Sequence, residues 1–80
     1  MRLILRVYID RASWCRERQY EAVPLVGQMV YDNAPIHGKV DNVEFESGVP
    51  VVTLVTVSDD YTENELNDAR FQRVESEQIL

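Results

Sequence analysis

The sequence predicts a mainly β domain: a small, strongly curved antiparallel sheet or partly open barrel of four or five strands, followed by one helix. Three observations carry this. From Arg2 to Asp10 every second residue is apolar, turn signals recur at roughly ten-residue spacing, and a helix-start signature stands at Thr62. Eighty residues make a single domain, residues 1–80. A chain of that length buries only about 60–65% of the surface its unfolded form exposes, so a curved sheet is an economical way to enclose a core.

In RLILRVYID, Leu3, Leu5, Val7 and Ile9 share one parity, the pattern of a strand with one buried face. RASWCRERQYEAV has two readings. As a strand it pairs back on the first, with Trp14, Arg16, Arg18 and Tyr20 on one face and Cys15, Glu17 and Gln19 on the other; as a helix capped by Ser13 it aligns Ala12, Cys15, Gln19, Ala22 and Val23. The hairpin is the favoured reading. Pro24 ends that element, Gly27 permits a bend, and a short strand follows from Gln28 to Tyr31. Asp32, Asn33, Ala34 and Pro35 then turn the chain.

IHGKVDNVEF returns as a strand in which Ile36 and Val40 share one parity and Val43 and Phe45 the other, so a bulge is expected near Asp41 and Asn42. Glu46, Ser47 and Gly48 turn again. VPVVTLVTV is apolar on both faces and belongs in the middle of the sheet or against the helix. Thr62 with Glu65 three residues on is a capping box, and Tyr61 with Leu66 supplies the matching apolar staple. Asp59, Asp60, Glu63 and Glu65 lie at the positive end of the helix dipole and Arg70 and Arg73 come toward its negative end, while the far end of the helix frays or turns into another strand near Phe71.

The cadence of VPLVGQMVYD followed by a GKV strand and a turn is similar to small SH3-like barrels. The likeness covers about 35 residues of generic turn and valine positions. It concerns architecture and carries no functional residues.

Composition excludes several function classes. The net charge of −6 is polarised: residues 1–20 hold five arginines against two acids, net +3, and the other sixty hold three basic residues against twelve acids, net −9. Such a field repels nucleic acid over most of the surface and attracts basic partners. The lone Cys15 forms no internal bridge and favours a reducing, cytoplasmic setting. The opening apolar run, broken by Arg6, is a strand and not a leader, and the longest uncharged stretch, residues 47–58, is too short to span a membrane.

Candidate chemistry is sparse. Cys15 and His37 are the residue types of a nucleophile and its base, yet nothing in the sequence brings them together. One Cys and one His are too few for a tetrahedral zinc site, and Asp59, Asp60 and Glu63 lack calcium-loop spacing, so neither metal nor cofactor is expected. No phosphate loop or nucleophile elbow occurs, and an enzyme is not expected.

Two interaction surfaces remain. The acids Asp32, Asp41, Glu44, Glu46, Asp59, Asp60, Glu63 and Glu65 form a candidate face for a partner protein with a basic surface. The concrete form of this expectation is a small cytoplasmic inhibitor similar in size and charge to those of phages and mobile elements, nucleic-acid mimics and anti-CRISPR proteins included. The alternative is a nucleic-acid platform made of Arg2, Arg6, Tyr8, Trp14, Arg16, Arg18 and Tyr20 on one face of the hairpin. Its plainer counterpart is that Trp14 and Tyr20 belong to the core, edged by arginines. A structural assembly subunit, joined through Trp14, Tyr20, Ile79 and Leu80, is the third expectation.

Overall fold

The computed structural model describes residues 1–9, 12–32, 36–55 and 62–74. Six strands and one helix follow in chain order: β1 (Arg2–Ile9), β2 (Ala12–Gln19), β3 (Met29–Tyr31), β4 (His37–Glu46), β5 (Val49–Val55), α1 (Glu63–Asp68) and β6 (Gln72–Val74). They build one sheet in the order β3-β4-β5-β1-β2-β6. It is mixed and not closed: β1 and β5 run parallel, while every other neighbouring pair is antiparallel. The expected wholly antiparallel sheet therefore needs correction. β5 returns from its hairpin with β4 and docks along β1 with Leu5 beside Val52, which aligns the most apolar strand of the chain with the most regular one.

Segment 12–19 is a strand, as the hairpin reading expects, and its register places Leu3 opposite Arg18, Leu5 opposite Arg16 and Val7 opposite Trp14. Directly opposed residues share a face. One face of the sheet therefore carries Leu3, Leu5, Val7, Trp14, Val40, Val52 and Leu54, all buried, and α1 with the turn that follows it packs there through Leu66, Ala69 and Phe71. β5 lies centrally, and Val51 and Thr53 on its second face are also buried.

Local chemistry accounts for the element ends. At α1 the Thr62 hydroxyl accepts from the Glu65 amide at 3.3 Å and the Glu65 carboxylate accepts from the Thr62 amide at 2.9 Å, so the expected capping box is complete. The other end closes in a Schellman arrangement: the Phe71 amide donates to the Leu66 carbonyl, the Arg70 amide to the Asn67 carbonyl, and Arg70 takes φ +68°. Leu66 and Phe71, both fully enclosed, form its apolar contact. The β4–β5 turn has positive φ at Ser47 (+53°) and Gly48 (+81°), the two-residue geometry whose twist matches that of the flanking strands. The bulge expected near Asp41 lies between Val40 and Asn42.

Candidate interaction site

The sheet curls. Asp32 follows β3 at one end of the strand order, and Arg16 and Arg18 sit on β2, four strand spacings or ~19 Å away in a flat sheet. Yet Arg18 Nε lies 2.8 Å from Asp32 Oδ1 and Arg16 Nη1 3.6 Å from Oδ2, with the Asp32 side chain fully enclosed. These are close charge pairs and not aligned hydrogen bonds, since neither carboxylate oxygen nor Arg18 Nε has a well-directed partner among the described residues. Arg16 Nη1 also donates to the Ala69 carbonyl at 2.7 Å, which ties β2 to the end of α1. Burial raises the pKa of Tyr20 beside this cluster, and the Asp32 charge raises it further.

This arrangement corrects two expectations. Asp32, read from sequence as part of a partner-facing acidic surface, is enclosed between two arginines and presents no charge outward. The proposed nucleic-acid platform is divided as well: Arg6 pairs across from Cys15 and Tyr8 from Ser13, so Arg2, Arg6 and Tyr8 occupy the face opposite Trp14, Arg16, Arg18 and Tyr20. Trp14 is 3% exposed and belongs to the core, so it has no ring face to offer a base. The assembly surface loses the same Trp14, and Tyr20 packs partly buried against that core; Ile79 and Leu80 lie outside the described residues.

The remaining N-terminal arginines are engaged too. Arg2 pairs with Glu17 at 3.1 Å. Arg6 donates to Thr53 Oγ1 at 3.0–3.1 Å and to Glu44 Oε1 at 2.8 Å, with its guanidinium 5.6 Å from the centre of the Tyr8 ring. Four of the five arginines that made the sequence look bipolar are thus turned toward carboxylates of the same chain.

The acids fall into separate settings. Glu65 is committed to the helix cap, and Glu63 stands exposed on α1, on the core-covering side of the sheet. Asp59 and Asp60 lie outside the described residues, as does the Tyr61 half of the apolar staple. Asp41, Glu44 and Glu46 are exposed on β4, where Asn42, Glu44 and Glu46 share the face opposite the core. Glu44 accepts from Asn42 at 3.0 Å as well as from Arg6. Between Glu44 and Glu46 stands Phe45, opposite Pro50 and 68% exposed, because β4 runs on past the part of the core that would cover it.

Sequence parity groups Phe45 with Val43 and does not say that the ring is left uncovered. The usable signal was position: Phe45 sits two residues before a turn, at the far end of a hairpin, where inward parity no longer guarantees cover. Cys15 is partly buried, which pushes its thiol pKa up, and no cluster of metal-ligating side chains occurs among the described residues. His37 at the start of β4 stacks on Tyr31 at the end of β3, with ring centroids 5.6 Å apart. No helix among the described residues is long and apolar enough to cross a membrane. Comparison with family models, with curated proteins and with solved structures finds no match to this chain.

Proposed function

We propose that this protein is a non-enzymatic binding module that docks the acidic end of its β4–β5 hairpin on a basic surface of a partner protein. The single observation that carries the reading is the end of the β4–β5 hairpin, which exposes Phe45 on one face of β4 and Glu44 and Glu46 on the other. A partner that wraps this end meets an apolar anchor on one side and carboxylates on the other, the ring supplying desolvated area and the charges supplying steering and selection. The internal pairing of Arg2, Arg6, Arg16 and Arg18 supports it, because little basic charge is left free at the N-terminal end to hold a polyanion, while the chain keeps a net charge of −6. In its most concrete form the partner surface is a lysine- and arginine-lined nucleic-acid groove and the protein is an inhibitor that occupies it.

The test compares partners captured by the wild-type chain and by an Asp41→Lys, Glu44→Lys, Glu46→Lys variant, at low and high salt. The reading expects a nucleic-acid-binding protein that is held at low salt, released by salt or by competing DNA, and lost with the variant. Equal capture by both chains overturns it. So does a mobility shift of DNA or RNA by the wild-type chain alone, which returns the function to the arginines.

A further inference from the structure

We infer that the outer edge of β4 from Asn42 to Glu46 accepts an added strand, and that the strand it fits is an extended partner segment alternating Lys or Arg with apolar residues. The inference rests on the acidic-module reading and specifies how that module binds. β4 is paired with β5 along its length, from Lys39 to Glu46, but on its other side β3 reaches only His37 to Lys39. Two further backbone bonds, Gly27 N–H to the Val40 carbonyl and Val40 N–H to the Gln28 carbonyl, extend that cover by one residue. Beyond the Asp41 bulge, five residues of β4 have no strand neighbour on that side among the described residues. Five residues span ~17 Å, an ordinary strand length, and the Ser47–Gly48 turn holds them extended.

An unpaired edge offers its alternate amides and carbonyls to any extended chain, and the side chains decide which chain is accepted. Here Asn42, Glu44 and Glu46 lie on one face and Val43 and Phe45 on the other. A strand laid beside them meets acids with one parity and apolar groups with the other, which gives the alternating pattern of the segment it selects. The same acids oppose a second copy of this chain. Edge-to-edge pairing of two β4 strands brings carboxylates near carboxylates, and each chain already carries −6. Neither proline nor lysine, the usual residues that blunt an edge, occurs between Asn42 and Glu46.

The experiment measures binding of a capped synthetic peptide, Lys-Val-Lys-Val-Lys-Val-Lys, to the full chain at low salt. It is paired with a second peptide of the same sequence N-methylated at every residue, which keeps the charges but removes the backbone donors of both edges, so that it cannot pair as a strand. The proposal expects the first peptide to bind at least about tenfold more tightly than the second, with the advantage lost in Glu44→Lys, Glu46→Lys. Equal binding of the two peptides overturns strand addition and leaves the acidic docking surface standing. Failure of both peptides to bind overturns the docking reading with it. Self-association of the wild-type chain that the N-methylated peptide cannot compete, and that Glu44→Gln, Glu46→Gln strengthens by removing the like-charge opposition, would assign the edge to a second copy and overturn the basic segment.

Discussion

The two sides of the sheet end alike and are treated oppositely. β3 and β6 are both three-residue strands, and each covers only part of a longer neighbour, leaving Asn42–Glu46 of β4 and Arg16–Gln19 of β2 beyond it. On β2 the uncovered stretch turns its charges inward: Arg16 and Arg18 close on Asp32 and on the Ala69 carbonyl. On β4 the uncovered stretch keeps its charges and its aromatic ring in solvent. Edge length therefore does not distinguish a sealed border from an available one. What distinguishes them is enclosure: the Asp32 carboxylate is fully buried against Arg16 and Arg18, whereas Glu44, although paired with Arg6, stays half exposed beside a solvent-facing Phe45.

The largest expected effect breaks the sealed side. Asp32→Ala removes the carboxylate that holds the curled ends together and leaves two half-buried arginines facing each other; the expected loss is about 3 kcal/mol of folding stability in urea unfolding. An unchanged midpoint would mean that the pairing is incidental to the curl. Next comes Gly38→Ala on the covered part of β4. A Cβ there would lie 2.7 Å from the Val55 carbonyl oxygen and 3.1 Å from Leu54 Cβ, so β4 and β5 must separate, at an expected cost of about 2 kcal/mol by the same measurement.

Smaller, and specific to the sealed side, is an alkaline effect. Because burial raises the Tyr20 pKa in the folded chain, the unfolded chain ionises first, so this contribution is intact below pH ~10 and falls as pH rises through the folded value. Cys15 behaves in the same direction. Unfolding midpoints measured across roughly pH 9 to 12, the range set by the ordinary tyrosine and cysteine pKa, should fall less steeply in Tyr20→Phe than in wild type. The smallest effect belongs to the open side: Phe45→Ser should change stability by no more than about 0.5 kcal/mol, because the ring is already in water, while abolishing the basic-peptide binding. A large loss of stability would show that Phe45 packs, and would remove the anchor.

Much of the fold was legible because local rules and tertiary structure agree. Period-2 alternation found β1, the parity switch at Val40 and Asn42 found the bulge, and the Thr62–Glu65 spacing found the helix start. The helix end was harder to read, since the left-handed residue that stops α1 is Arg70 where glycine is the common choice. The parallel β1–β5 pairing left no local signal, as it joins residues nearly fifty positions apart. For the candidate site, net charge identified the acids of β4 but placed Asp32 among them. Arg16 and Arg18 share parity with Trp14, and inward-facing arginines require a buried acid; a neighbour in space and not in sequence supplied it.

The most direct test maps where the alternating Lys/Val peptide touches the chain, by following backbone amide signals in NMR through a titration at low salt. The account predicts shifts and slowed hydrogen exchange concentrated at Asn42–Glu46, with Arg16–Gln19 unmoved. Perturbation centred on Arg16–Gln19, or spread evenly over the exposed acids with no change in exchange along β4, would contradict it.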